Sequence, residues 1–309
     1  MAQDFSYQLR PRKNVERKML CEAFTRLNAV AALTSYRYVG MGAVEFRDFL
    51  LVHQRLGIDQ MVNIEMEDDE RERFKFNRPY SCIRLEWGKT TEVLHKLKWT
   101  SRSIVWLDYT CKLNVECLRD ISYLVGQLRS GSALVVTVNA HPFGDPKAAP
   151  LDLLEAEVGA KRVPSGTKAG DLTDWGVAKT YRSIVQREIE DALSARNGVL
   201  PKDRRLAYRQ LFNFRYKDGA RMLTVGGVLL DPKDALRVGS HGFDGLDFVR
   251  AGDEAFEIRV PLLTRREMAL LDSRLPRGRR VSLAWLGGTA IADYRAIYRY
   301  SPMFGEFGG

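Results

Sequence analysis

The sequence predicts an α/β fold: a doubly wound, mostly parallel sheet with a late antiparallel hairpin and a helical insertion. Three observations carry this. Between residues 34 and 140, short apolar segments alternate with amphipathic segments of helical period, the pattern of strands covered on both faces by crossover helices. The first short segment runs into Gly40-Met41-Gly42, a turn between strand and helix. Much later, residues 211–216 and 221–225 flank an Asp218-Gly219 turn, which supplies the positive φ that a tight hairpin needs.

Residues 12–33 read as a helix, because Val15, Met19, Phe24, Leu27, Val30 and Ala31 recur at spacings of three to five with charges between them. Residues 36–39 alternate as a first strand. Residues 43–56 follow as a helix with Val44, Phe49, Val52 and Leu56 on one stripe and Gly57 as its stop. A second strand covers 61–65 and leads into a run of acidic and basic residues to 73. The third strand is 80–87, after Pro79, and a helix covers 91–97. The fourth strand is 103–108, a helix covers 115–128, and 133–139 is the fifth and most apolar strand. Residues 141–173, rich in Pro, Gly, Ala and Lys, are a loop or partly helical insertion. Helices follow at 175–195 and 201–211, then the hairpin, then a short strand at 256–260. Thr264 and Glu267 form a capping-box pattern for a helix that runs to about 275, before Pro276. The chain divides into an N-terminal helical segment (1–33), a core (34–140), an insertion or cap (141–204), and a C-terminal part (205–309) that completes the sheet and offers a substrate or partner surface.

With 45% hydrophobic and 28% charged residues in 309, a disordered chain is excluded. No apolar run approaches the roughly 20 residues of a membrane-spanning helix. The N-terminus has no apolar core and does not read as a secretion signal. Cys21, Cys82, Cys111 and Cys117 are scattered without a CxxC pair, so neither a zinc knuckle nor a disulfide framework is indicated. A reducing cytoplasm is the expected location. Lys and Arg outnumber Asp and Glu by 48 to 39, a net charge of +9, which raises the odds of a polyanionic partner. Basic residues cluster at Arg10-Pro11-Arg12-Lys13, at Lys202-Asp203-Arg204-Arg205 with Arg209, and near the C-terminus. Arg277, Arg279 and Arg280 follow Arg274, and Tyr294, Tyr298 and Tyr300 alternate with Arg295 and Arg299. Arginines among aromatics suit phosphates and unstacked bases, so Arg277, Arg279, Arg280 and Tyr298 are candidate nucleic-acid contacts. The alternative for each cluster is a solvated face whose Arg stems cover apolar surface.

The residues that could carry chemistry gather where strands end. Gly40-x-Gly42 lets backbone N–H groups and a helix N-terminus face a polar ligand. A dinucleotide fingerprint needs a third glycine at position 45, where Glu45 stands, and this disfavours a nicotinamide cofactor. Glu65 ends the second strand and can accept both hydroxyl hydrogens of a ribose; otherwise it is an exposed member of the acidic run. Glu86 and Trp87 end the third strand, and Trp87 either packs against adenine or belongs to the core. Asp108 and Tyr109 end the fourth strand. Asp108 can bind an amine, a hydroxyl or a metal, act as a base, or cap its turn, and Tyr109 can stack on a ring. His53, His95, His141 and His241 show no metal-ligand spacing. His141, just past the fifth strand, is the candidate general base among them.

These features together resemble the class I S-adenosylmethionine-dependent methyltransferases, over roughly residues 34–140, with the hairpin at 211–225 matching their late antiparallel strands less specifically. The resemblance implies a Rossmann-like fold and transfer of a methyl group from S-adenosylmethionine to an unidentified acceptor. In its terms the segment YRYVGMG, through Gly40 and Gly42, holds the methionine part of the cofactor and Glu65 holds the ribose. Glu86 and Trp87 lie near adenine, and Asp108 and Tyr109 face the methyl group and acceptor. The chain departs from the family pattern at Tyr38, where an acidic residue is usual, and at Val44, often Gly. Asp108-Tyr109-Thr110 lacks both prolines of the amino-methyltransferase motif, which argues against a standard adenine or cytosine amino methyltransferase. The second reading is a repurposed, non-catalytic nucleotide-binding module in a larger assembly, with nucleic acid or a protein as partner.

Overall fold

In the computed structural model, which describes residues 10–66, 68–144, 148–239, 241–276, 283 and 285–302, eight strands form one sheet. They are β1 (Arg37–Gly40), β2 (Gln60–Glu65), β3 (Ile83–Trp87), β4 (Ser103–Asp108), β5 (Ser132–Asn139), β6 (Ala207–Asp218), β7 (Ala220–Leu230) and the two-residue β8 (Phe256–Glu257). Their order is β3-β2-β1-β4-β5-β7-β6-β8. The first five strands run parallel. β7 enters antiparallel to β5 and pairs antiparallel with β6, which runs parallel to β8.

The strand residues explain this burial on two sides. In β4, Ile104 and Trp106 point into one apolar core, whereas Val105 and Leu107 point into another; β5 divides Ala133 and Val135 from Leu134, Val136 and Val138 in the same way. Fully burying one such large apolar side chain is worth roughly 1.5–3 kcal/mol, so every second residue anchors a different helical layer. Residues of α1 (Pro11–Thr25), α2 (Arg47–Leu56) and α3 (Arg71–Asn77) fill the first core. Residues of α4 (Thr90–Lys96), α5 (Val115–Gln127), α6 (Pro150–Val158) and α7 (Gly176–Asn197) fill the second. The crossovers β1-α2-β2 and β2-α3-β3 therefore lie on one face, and β3-α4-β4 and β4-α5-β5 on the other. The winding reverses between β1 and β4, and a crevice opens beyond the carboxyl ends of those two strands. Beyond the hairpin, α8 (Pro232–Val238) and the single-turn α9 (His241–Asp244) return to the first face. Then α10 (Arg265–Asp272) and α11 (Gly288–Ile297) enclose a small separate cluster of Leu271, Ile291 and Tyr294. No helix among the described residues is long and apolar enough to cross a membrane.

The expected doubly wound sheet and its late hairpin are present, with Gly219 at φ +109° in the connection. So is the capping box, in which the Thr264 side chain accepts from Glu267 N and Glu267 reaches back to Thr264 N. Several boundaries differ. Residues 43–46 form a turn, not the start of a helix, because Phe46 is held at φ 50°, ψ 31°. That left-handed backbone costs a bulky residue about 1–3 kcal/mol; it is held by burial of the ring against Phe49 and Phe74. Residues 201–211 are not a helix. A short 3-10 turn at Lys202–Arg204 is followed directly by β6, where Leu211 and Phe212 are buried and pairing with β7 overrides local propensity. The third strand starts only at Ile83, because the Ile83 amide turns back to the Tyr80 carbonyl. At 256–260 only two residues pair. The charged run after β2, given no structure beforehand, leads into α3, anchored by its one buried side chain, Phe74.

Candidate active site

A cavity of about 430 Å³ lies over the carboxyl ends of β1 to β4. Its apolar walls are Met41, Val44, Ile64 and Phe74, and its polar groups include Glu65, Thr90, Asp108 and Asn114. They come from the ends of β2 and β4 and the connections that follow β1 to β4, because parallel strands deliver all their outgoing loops to one edge. The volume falls in the range of about 300–1,000 Å³ typical of small-molecule sites. A second compartment of about 180 Å³ adjoins it and shares Met41, Ala43, Asp108, Tyr109 and Thr110. Its remaining lining comes from Arg10 and α1 (Lys13, Arg17), α2 (Asp48), the end of β5 (Asn139) and the hairpin (Tyr216, Asp218, Ala220, Met222). Asp108 thus stands at the junction of two compartments.

Asp108 is held by a residue from the far end of the sequence. Lys13 Nζ lies 2.7 Å from Asp108 Oδ1 and 2.7 Å from Glu16 Oε2, one turn further along α1. It also sits 4.5 Å above the Trp106 ring. Glu16 is wholly buried, and burial raises its carboxyl pKa while Lys13 pulls it down. Both of its oxygens have further partners. Tyr216 donates to Oε2, and a chain runs from Trp106 Nε1 to Thr137 (3.0 Å), to Thr224 (2.7 Å) and on to Glu16 Oε1. A buried polar network in which every member has a partner fixes a single geometry. Here it fixes the ammonium group beside Asp108. Nearby, Tyr38 donates to Asp48 Oδ2 at 2.6 Å, and burial raises the Asp48 carboxyl.

The residues singled out in the sequence fall at varied distances from this centre. Glu65 lines the larger cavity and is partly buried, with Oε1 accepting from the Met66 amide at 2.8 Å. Asp108 lines both compartments. Tyr109 contributes to both walls, but its phenol is buried and donates to Asp120 at 2.6 Å under α5, so its ring is not presented for stacking. Gly40 and Gly42 are not among the lining residues; Met41 and Ala43 are. The Gly42 amide donates to Asn63 Oδ1 at 2.6 Å. A Cβ on Gly40 would lie 2.9 Å from the Tyr38 ring, and one on Gly42 would lie 2.7 Å from the Phe49 ring. Both glycines therefore serve close packing within the protein. Gly42→Ala should cost about 1–3 kcal/mol through overpacking, read as a lower denaturant midpoint; an unchanged midpoint would mean that Phe49 yields freely.

Glu86 pairs with Arg84 on its own strand at 2.9 Å. Trp87 packs edge-on against Phe74 with Arg71 over its face. Neither lines the cavity, and Trp87 supports Phe74, which does. His141 is exposed in the loop after β5, its amide bonded to Asn139 Oδ1 and its carbonyl to Lys112, and it does not line either compartment. Tyr298 is half-buried against the Leu271, Ile291 and Tyr294 cluster, and Tyr300 is buried with its hydroxyl on Glu22. Arg277, Arg279 and Arg280 lie outside the described residues. The sequence reading placed Lys13 only in a basic cluster with Arg10 and Arg12 and did not single out Glu16, since on an amphipathic helix both look like the solvated charges between apolar positions. Their only signal was a Lys-x-x-Glu spacing flanking Val15 on the apolar stripe.

A family model described as "Putative O-methyltransferase" matches residues 5–308. No curated protein matches the chain in sequence. Among solved structures, LepI in complex with S-adenosylhomocysteine is 10% identical, with 63% of this chain and 43% of LepI covered at a TM-score of 0.33. The chain thus spans less than half of LepI's length. Spermidine synthase from Thermotoga maritima is 10% identical over 79% of this chain and 68% of its own, with a TM-score of 0.42. The O-methyltransferase TomG from Streptomyces achromogenes, in complex with S-adenosylmethionine, is 16% identical over 67% and 79%, with a TM-score of 0.36.

Proposed function

The chain belongs to the O-methyltransferase family and has the Rossmann-like fold expected of a class I methyltransferase, and we propose that it binds S-adenosylmethionine in the larger cavity and an acceptor hydroxyl in the smaller one. The observation that carries this reading is the junction. Two compartments of different lining meet at Met41, Ala43, Asp108, Tyr109 and Thr110, the arrangement that a transfer between two bound molecules requires.

The residues present suit this cofactor. Glu65 offers a carboxylate at the end of β2 to a vicinal diol, the chemistry of a ribose. Ile64, Val44 and Phe74 form an apolar wall for a flat base, and Thr90 and Asn114 supply polar groups at its edge. When bound, S-adenosylmethionine supplies an electrophilic methyl group. The chain's own part is positioning and proton handling. Asp108, fixed by Lys13, is within reach of both compartments and accepts the proton of the acceptor hydroxyl. Lys13 keeps that carboxylate oriented and offers positive charge to the oxygen that becomes negative. Asn139 and Arg17 add polar groups to the wall of the same compartment.

Isothermal titration of the protein with S-adenosylmethionine tests the first half of the proposal. Glu65→Ala removes a charge-assisted interaction of roughly 1.5–3 kcal/mol, so affinity should fall about ten-fold or more with the fold intact by circular dichroism. Equal affinity in the variant would remove Glu65 from the site. Absence of heat with the wild type would defeat the cofactor assignment. Transfer of a labelled methyl group to a panel of phenols, catechols and hydroxy acids tests the second half.

A further inference from the structure

Two cysteines that lie six positions apart in sequence meet in the wall of the larger cavity. Cys111 and Cys117 both line it. The chain between them turns from the end of β4 into α5 and is pinned at both ends. Asn139 N donates to the Cys111 carbonyl at 2.9 Å. Asn114 caps α5, its Oδ1 accepting from Cys117 N at 3.0 Å and its Nδ2 donating to Cys111 Sγ at 3.9 Å. One carboxamide therefore spans from the sulfur of one cysteine to the backbone of the other. Cys111 is exposed and Cys117 is buried. A hydrogen bond from the Cys117 thiol lowers the Cys111 pKa to about 7, while Cys117 is raised. The nearby amino end of α5 also favours a thiolate. By contrast, burial pushes Cys21 up to about 12 and also raises Cys82. One exposed, acidic thiol beside one buried, protonated thiol is the arrangement of a redox-sensitive pair.

We propose that Cys111 and Cys117 are a peroxide-sensitive pair that closes to a disulfide in the wall of the cofactor cavity. The Cys111 thiolate attacks one oxygen of hydrogen peroxide; an S–O bond forms, the O–O bond breaks and hydroxide leaves. Sulfur is oxidised to the sulfenic acid as peroxide is reduced. Cys117 then attacks the sulfenic sulfur; the S–S bond forms, the S–O bond breaks, and the departing hydroxyl takes up the Cys117 proton as water. Overall, two thiols and one peroxide yield one disulfide and two waters. A sulfur–sulfur bond of about 2.05 Å ties the segment between β4 and α5, which carries Thr110 and Asn114, covalently to the first turn of α5. The effect on the cofactor rests on the assignment of this cavity to S-adenosylmethionine. Cofactor and disulfide then oppose each other reciprocally.

The test treats the reduced, full-length protein with hydrogen peroxide, with and without S-adenosylmethionine, and reads intact mass and peptide maps. The expected product is lighter by two hydrogens, carries a Cys111–Cys117 cross-link and reverts with dithiothreitol. Bound S-adenosylmethionine should slow its formation, and the oxidised protein should bind the cofactor at least about five-fold more weakly. Cys111→Ser should give no cross-link. Cys117→Ala, should it fold, should leave a sulfenic acid at Cys111 that dimedone traps. Over-oxidation of Cys111 without a cross-link, or a cross-link through Cys21 or Cys82, overturns the proposal. Cross-linking in a protein that fails to bind S-adenosylmethionine supports the thiol pair and defeats the cofactor assignment. Cofactor binding without cross-linking does the reverse.

Discussion

Lys13→Met should cost the protein about 3–5 kcal/mol at pH 7, the penalty for breaking a buried ion pair by removing one partner. Methionine fills nearly the same volume, so the loss is electrostatic. Glu16 would be left wholly buried without its cation, facing Asp108 across the space that the ammonium group occupies. The pH dependence identifies the cause. Burial already raises the Glu16 carboxyl above its ordinary value, and Lys13 is the main group opposing that rise. In the variant the carboxyl rises further. A carboxyl raised in the folded state binds its proton more tightly there than in the unfolded chain, so the cost is fully present above the folded pKa. It fades as pH falls through that value toward the ordinary carboxylate range. The deficit should therefore be largest at pH 8 and shrink at pH 5, as guanidinium denaturation at the two pH values will show. Glu16→Gln in the same background should restore part of the loss, since it removes the orphaned charge. A deficit that does not change between pH 5 and 8 would place the damage in packing rather than charge.

How much of this was legible in advance follows from what kind of signal each feature leaves. The strands β4 and β5 are short apolar runs with nothing else to become, and the hairpin announces itself through Asp218-Gly219. The switch point follows from strand order. Glu65 and Asp108 could be placed at the ligand edge in advance because position at a strand end is itself readable, and both line the cavity. Gly40 and Gly42 stood out because a glycine turn after a strand suits a ligand; in the fold the rings of Tyr38 and Phe49 also occupy the space that the missing side chains leave. The segment 201–211 misled because Leu206, Tyr208, Gln210 and Leu211 fit a helical period about as well as a strand, and only the presence of β7 decides between them. Lys13 and Glu16 left almost no local trace. Their partners Asp108, Tyr216 and Thr224 lie 95, 200 and 208 residues away, and charge on an amphipathic helix is ordinarily solvated. The two cysteines of the cavity wall were hidden likewise, since their spacing matches no motif and Asn114 brings them together only in the folded chain.

Asp108→Asn should lower methyl-transfer turnover by about 10²–10⁴-fold, the usual contribution of a positioned proton acceptor, while S-adenosylmethionine affinity changes little. Asparagine keeps the shape and can still accept a hydrogen bond from Lys13, but it cannot take a proton at neutral pH. The side chain is partly exposed, and Lys13 keeps its second carboxylate in Glu16. The fold should consequently survive, and melting temperature checks that it does. The measurement pairs cofactor titration with transfer of a labelled methyl group to whichever hydroxylated compound the wild type accepts. A fall in turnover without a loss of cofactor affinity locates the defect in the chemical step rather than in binding. If Asp108 only closes its turn, both quantities should stay at wild-type values, because Asn and Asp serve local backbone hydrogen bonds about equally well. A matched loss of cofactor affinity would instead move Asp108 into the cofactor compartment. The proton would then need another acceptor in the smaller compartment. Asp48 and Asp218 are the other carboxylates there: Asp218 is held by Arg12 and the Lys13 amide, whereas the Asp48 carboxyl is raised by burial and receives a hydrogen bond from Tyr38.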